Sequence, residues 1–289
     1  MSALGRVSRS ACLAAAKPIA GARHSTIVTV PYVVPPAERP ALVDCTFYHS
    51  IDLPGIGLQQ GNWDLRGGYD DYLGGQDFSG ERVLDIGTAN GALAFEIERR
   101  GASEVVGFDL DEGLAFDCRV PTPEEALAES RARIARVKNA FWLGHHLLAS
   151  NVKVVYGHAG ALPAELGRFD AVVMGNILQH LQDPVGAVLQ AARRSDHLII
   201  TEADWMRDVV ADDFVGMLMF DLPNPFSWYQ VKPGLLCNLL GRWGFVDQQL
   251  NWHDQLMLEN AQFAEDGTVA REPIHIRIPH YTLSLRRPV

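Results

Sequence analysis

No apolar run in this chain reaches the roughly 18 residues that a membrane-crossing helix needs, so the sequence offers no candidate for one. Cysteine is scarce. Cys12, Cys45, Cys118 and Cys237 form neither a C-x-x-C pair nor a zinc spacing, which argues against a metal ribbon and a disulfide framework. A reducing compartment fits best, and the cytoplasm is the expected location. Positive charge is also short. The 25 Lys and Arg are outnumbered by 35 Asp and Glu, for a formal net charge of -10. That argues against a broad nucleic-acid surface, because phosphate binding is supplied mainly by Lys and Arg. Acidic residues are missing from the first 37 positions, where Arg6, Arg9, Lys17 and Arg23 stand among Ser and Ala. This composition resembles a mitochondrial transit peptide, but a flexible tail is the favoured reading.

What is present is a globular composition in 289 residues, enough to bury a core without staples. Residues 1–40 read as a tail and a proline-punctuated arm (Pro31, Pro35, Pro36, Pro40). Residues 41–80 read as a lead-in or lid segment, and residues 81–289 as one α/β domain. Strands are predicted at 82–86, 104–108, 152–156, 169–174 and 197–201, alternating with helices at 92–100, 123–149 and 183–194, the pattern of a mainly parallel sheet. For the long helix, Thr122 is the expected N-cap, with Glu125 completing a capping box. Residues 203–230 break the rhythm. They are too long for a simple connection and too aromatic for disorder, so they read as an insert on the substrate side. A helix at 233–243 and a late pair of extended runs close the chain.

The motif that carries chemistry is Val83-Leu84-Asp85-Ile86-Gly87-Thr88-Ala89-Asn90-Gly91. A strand runs into a turn in which Gly87 and Gly91 let the backbone come close to a ligand, and the next helix presents its N-terminal amides there. Asp85 can meet a cationic amino group. A second acid, Asp109, follows at the end of the next strand, where a carboxylate accepts from ribose hydroxyls, as it does for NAD. NAD is therefore the competitor, but D-x-G-x-x-x-G is not the dinucleotide fingerprint. A methionine-type nucleoside, S-adenosylmethionine (SAM), fits better.

From about Phe78 onward the sequence resembles the class I SAM-dependent methyltransferase superfamily. A narrower likeness lies in Phe47-Tyr48-His49-Ser50-Ile51-Asp52-Leu53-Pro54, in Gly61-Asn62-Trp63-Asp64-Leu65-Arg66, in Phe141-Trp142-Leu143, in Val155-Tyr156-Gly157 and in the run from Leu178 through Gln179-His180-Leu181-Gln182-Asp183 to Pro184. These are similar to the group labelled tRNA 5-methoxyuridine methyltransferase-like. The resemblance implies a Rossmann-like, seven-stranded, mostly parallel sheet with helices on both faces, and SAM as cofactor. Ala89 stands where many relatives carry a central glycine.

The expected cofactor contacts are Asp85, Gly87, Thr88, Ala89, Asn90, Gly91, Asp109, Leu110, His158, Ala159 and Asn176. His158 occupies the place where many relatives use an Asp to accept from the adenine amino group. His180 is the leading general base, since histidine titrates near neutral pH, and His49 the second. Trp63, Arg66, Phe220, Trp228 and Tyr229 are expected to line the acceptor side, with Phe214, Met217, Met219 and Phe226 in the same insert. His253 is a weak further candidate. His145 and His146 diverge by about 100° on a helix and do not read as a metal pair; no metal is expected. The favoured function is transfer of a methyl group to an oxygen or nitrogen of a small molecule. The alternatives are a tRNA wobble-uridine methyl- or carboxymethyltransferase and a SAM-binding partner protein without turnover. The acceptor and the oligomeric state cannot be read from the sequence.

Overall fold

The computed structural model describes residues 30, 32–111, 116–220, 225–259, 262–263, 269–271 and 274–288. The transit-like segment lies outside them. The lead-in forms a short hairpin, β1 (Ile51–Leu53) with β2 (Gly57–Gln59), then β3 (Trp63–Asp64) and α1 (Tyr69–Tyr72). The domain proper follows as β4 (Arg82–Ile86), α2 (Ala92–Arg99), β5 (Glu104–Asp109), α3 (Glu124–Leu147), β6 (Lys153–Tyr156), β7 (Ala171–Gly175), α4 (Pro184–Arg194) and β8 (His197–Ala203). The insert contributes β9 (Met217–Met219) and β10 (Tyr229–Val231), and the chain ends with α5 (Pro233–Arg242), β11 (Asp247–Glu259), β12 (Gln262–Phe263), β13 (Val269–Arg271) and β14 (Ile274–Arg286).

The main sheet has the order β3-β11-β14-β8-β7-β4-β5-β6. The run β8-β7-β4-β5-β6 is parallel, whereas β14 joins β8 in the antiparallel sense and β11 joins β14 likewise. Seven strands were expected. The eighth is β3, whose Trp63 and Asp64 pair with Met257 and Leu256 of β11. A two-residue strand in a polar lead-in carries no periodic signal, which is why the sequence does not reveal it.

Period-two alternation divides the interior into two cores. Leu84, Ile86, Val106, Phe108, Val172, Met174, Leu198 and Ile200 pack with α4 and α5. Val83, Val105, Ala171, Val173 and Ile199 pack with α1, α2, α3 and the lead-in. Burial on both faces is what a parallel sheet requires, and it explains why these strands read as unbroken apolar runs. Part of the arm expected to be a tail is docked: the Val33 amide donates to the Val154 carbonyl at 2.8 Å, covering the exposed edge of β6.

Two helix starts illustrate capping. Asp183 caps α4, its carboxylate accepting from the Gly186 amide at 2.7 Å, with Pro184 in the first turn. The capping box expected for α3 does not form. Pro123 is the N-cap, and the Thr122 hydroxyl donates instead to the Val120 carbonyl at 2.9 Å. No described helix is long and apolar enough to cross a membrane.

Candidate active site

The carboxyl ends of β4, β5, β6, β7 and β8 form one edge, and the motif residues gather there. Gly87 turns out of β4 with φ +87°, and a Cβ on it would stand 3.0 Å from the Ile177 side chain. Gly91, with φ +84°, opens α2, but its missing Cβ makes room for the Phe95 and Phe141 rings. It serves packing of α2 against α3 rather than approach to a ligand. Ala89 sits at φ +49° and Asn176 at φ +54°. A left-handed conformation costs a non-glycine residue about 1–2 kcal/mol. Such strain gathers at functional sites and persists only where the surroundings hold it. The Ala89 amide is held by the Asp109 carboxylate at 2.5 Å, and the other Asp109 oxygen accepts from the Leu110 amide at 2.6 Å.

Asp85 is fully buried, and neither carboxylate oxygen has a hydrogen-bond partner among the described residues. Burial raises its pKa to about 7; the nearby Thr88 hydroxyl, too loosely placed to count as a formed hydrogen bond, offsets part of that, and Asp109 adds to it. Burial also raises Asp109, against the two backbone amides and the charge of Lys138. An unpartnered buried carboxylate is costly and fits a ligand that brings a cation. Together with Asp109, which retains lone pairs for hydroxyl donors, it matches the ammonium and ribose of SAM.

Asn90 is used differently from the expectation. Its amide oxygen accepts from the backbone of Tyr48 (3.2 Å) and His49 (2.7 Å), and its NH₂ group donates to the His49 carbonyl at 3.1 Å. The side chain clasps the lead-in to the cofactor turn. His158 likewise has no lone pair to offer adenine. Its Nδ1 accepts from the Gly160 amide at 3.1 Å, so the remaining proton sits on Nε2 and points at Asp117, 3.3 Å away. Ala159, buried, follows it.

Both candidate bases lie at this edge. His180, in a short 3-10 turn (Leu178–His180), donates from Nδ1 to the Phe226 carbonyl at 2.9 Å, since a carbonyl only accepts. That leaves Nε2 as a bare lone pair. Burial lowers its pKa and the Phe226 contact opposes the drop, so the ring is neutral at pH 7. His49 is 4% exposed with an unpartnered Nδ1, and burial takes its pKa down to about 4.

The acceptor-side candidates divide. Trp228 is buried, its backbone amide on the Gln179 carbonyl (2.7 Å) and its carbonyl accepting from Phe220 (2.9 Å). The Tyr229 ring lies tilted beside it, 5.9 Å between centroids. This ties the insert to the turn that carries His180. Phe214 and Met219, in contrast, are exposed. Trp63 is buried against the His280 ring, 5.3 Å away, rather than at a mouth. Arg66 is committed to Asp64 (2.8 Å) and Asp52 (3.1 Å) in a surface ion pair. His253 is held between Thr282 (2.8 Å) and Gln255 (2.8 Å) within the sheet.

Several residues that sequence reasoning passed over belong here. Glu202, 2% exposed, ends β8 and accepts from the Leu178 amide at 2.8 Å. Burial raises its pKa to about 8, against the amides of Leu178, Ile177 and Gln179. Tyr72 from α1 lies over Gly175: a Cβ there would meet the phenol at 3.0 Å. Lys232 and Asp204 form a salt bridge with both side chains fully buried, joining the residue that follows β10 to the one that follows β8. His280 is 1% exposed, donates from Nδ1 to the Ile278 carbonyl at 2.9 Å and has an unpartnered Nε2. None lies in a local motif, so only an acidic or aromatic residue at a strand end hinted at them. Among the described residues no group of three His, Cys, Asp or Glu is placed to hold a metal.

Comparison with known proteins identifies the family and the fold. Residues 67–250 match the methyltransferase domain family. The chain is 30% identical over 124 residues to the ubiquinone biosynthesis O-methyltransferase of Neisseria meningitidis serogroup A, covering 43% of each chain. It is 32% identical over 124 residues to the protein of that name from Alkalilimnicola ehrlichii, covering 42% of this chain and 39% of the relative. The matches thus span less than half the length of these curated relatives. In structure it resembles the N-terminal domain of EvdMO1, crystallised in the presence of SAH and D-fucose, with a TM-score of 0.53 and 18% identity over 84% of this chain and 91% of that one. That likeness is one of fold. With the match over most of its length, and with the strand order described above, the chain belongs to the methyltransferase domain family and has the class I SAM-dependent fold.

Proposed function

We propose that the chain transfers a methyl group from SAM to an oxygen or nitrogen of a small-molecule acceptor. The observation that carries the reading is the buried, unpartnered Asp85 carboxylate beside Asp109 at the carboxyl edge of the parallel sheet. When bound, the cofactor supplies an electrophilic methyl on a sulfonium. The chain's own residues align, enclose and deprotonate. Asp85 receives the ammonium and Asp109 the ribose hydroxyls. Gly87, Thr88, Ala89 and Leu110 form the walls, Ala159 borders the adenine end, and Asn176 the methyl end.

His180 is the proton acceptor in this reading. Its neutral ring, oriented by Phe226, offers Nε2 to an acceptor hydroxyl or amine. His49, near 4, is too weak a base for that and serves as a hydrogen-bond acceptor under the lead-in. Phe220, Trp228 and Tyr229 supply the apolar cover that excludes water. The net charge of -10 favours a small acceptor over tRNA, and the O-methyltransferase name of the curated relatives favours oxygen. Calorimetry with SAM and S-adenosylhomocysteine (SAH), followed by transfer of labelled methyl to panels of phenols, amines and unmodified tRNA, tests both halves. No binding at millimolar SAH would end the cofactor assignment. Label in tRNA and in no small molecule would end the acceptor assignment.

A further inference from the structure

The sheet order β4-β5-β6 lays the cofactor out in sequence on the methyltransferase reading, on which this inference rests. The ammonium goes to Asp85 at the end of β4, the ribose to Asp109 at the end of β5, and the adenine therefore to the end of β6. The Gly157 amide donates to the Asp109 carbonyl at 2.8 Å, so the residues after β6 stand directly beyond the ribose acid. Adenine presents an amino donor there, yet His158 has both ring nitrogens engaged.

The acceptor stands beside it. Asp117 lies in a strap, residues 116–119, that crosses between three elements. Both carboxylate oxygens lie 3.3 Å from His158 Nε2, and Oδ2 accepts from the Gln182 amide at 2.9 Å. A carboxylate has about four acceptor sites, so Oδ1 keeps capacity, and 21% of the side chain remains exposed. The same residue's carbonyl accepts from the Trp228 indole at 2.9 Å. The next turns of the strap hold the insert too. The Arg119 amide donates to the Pro225 carbonyl at 2.8 Å and its Nε to the Ser227 carbonyl at 3.2 Å. Phe116 packs on His180 at 6.0 Å and on Phe226 at 5.6 Å.

We propose that Asp117 accepts a hydrogen bond from the adenine 6-amino group, with His158 as its positioning residue, and that this contact fixes the strap and, through Trp228, the cover over the acceptor. Adenine recognition then comes from a strap rather than from the loop after β6, and cofactor occupancy organises the acceptor pocket.

Calorimetry with SAH and with S-inosylhomocysteine, in which a carbonyl replaces the 6-amino group, tests this on the full chain. The wild type should favour SAH by about 20-fold, the loss expected for a hydrogen bond to a charged group. Asp117→Ala should shrink the preference to about 2-fold, and His158→Ala to a value between. The ratio of two ligands on one protein cancels general damage to the fold. Hydrogen exchange on the wild type supplies the second measurement: SAH should slow exchange in residues 116–119 and 225–229 together, and S-inosylhomocysteine should slow neither. Equal affinity of the wild type for both ligands, or an unchanged preference in Asp117→Ala, overturns the proposal. Binding of neither ligand overturns the methyltransferase reading with it.

Discussion

The two ends of the functional edge are built by different means. The cofactor end is local. Residues 85–91 and 109–110 are two strand ends, and its donors are largely backbone amides fixed by the turn itself. The end proposed for the acceptor is assembled from afar. Asn176 to His180, Glu202 and the insert meet through contacts such as Trp228 to Gln179 and Leu178 to Glu202. Backbone geometry sets the first; long-range side-chain and insert contacts set the second. The cofactor end should therefore fail through single groups, and the acceptor end through loss of position.

Mutations can break or sharpen that contrast. The largest effect is expected at Asp109. Asp109→Ala removes two ribose contacts and frees the strained Ala89 amide, so SAH affinity should fall by about 100- to 1000-fold in calorimetry. His180→Ala should leave SAH affinity unchanged while turnover falls about 100-fold in the methyl-transfer assay; full rate at every pH would exclude His180 as the base. At Asp85 the effect depends on pH. The carboxyl must ionise to meet the ammonium, so SAH affinity should climb through its value near 7. It should fall again at higher pH, once the ligand's α-amino group deprotonates and the ion pair is lost. Asp85→Asn should bind about 10-fold more weakly at pH 7.5 and lose the rising limb.

Glu202 addresses the other end. Its folded pKa near 8 lies above the unfolded value, so the folded state binds the extra proton. The neutral form's stability is complete below the unfolded value and is lost as pH rises through the folded one. Glu202→Gln keeps an oxygen for the Leu178 amide and removes that loss. Urea melts should show the variant and wild type close at pH 5 and the variant more stable, by about 1 kcal/mol or more, at pH 9. A wild-type curve flat between those values would mean that the carboxyl is not buried as described. The smallest effect is expected for Arg66→Ala. An ion pair at the surface contributes about 0–1 kcal/mol, and turnover should be unchanged.

Legibility followed the same division. The parallel strands were visible because burial on both faces leaves unbroken apolar runs, and the cofactor turn because Asp85, Gly87 and Asp109 fall within 25 residues. His180 and His49 were visible as residue types. The clasp by Asn90 was not, since one asparagine reads the same whether it meets a ligand or a backbone 41 positions away. Nor were Glu202, His280 and the Lys232–Asp204 pair, whose meaning lies in burial. Sequence proximity to His49 assigns Arg66 and Trp63 to the mouth, but β3 pairing with β11 turns Trp63 inward and Asp64 captures Arg66.

The sequence by itself determined the strand-turn-helix that receives a nucleoside, because alternation, turn conformation and helix-end amides depend on neighbours along the chain. Tertiary structure alone decided which buried nitrogens and carboxylates among the described residues are left without partners, and how the strap, the insert and the turn that carries His180 are tied together. Those outcomes depend on which distant groups satisfy one another first, and burial sets that competition only once the chain has folded.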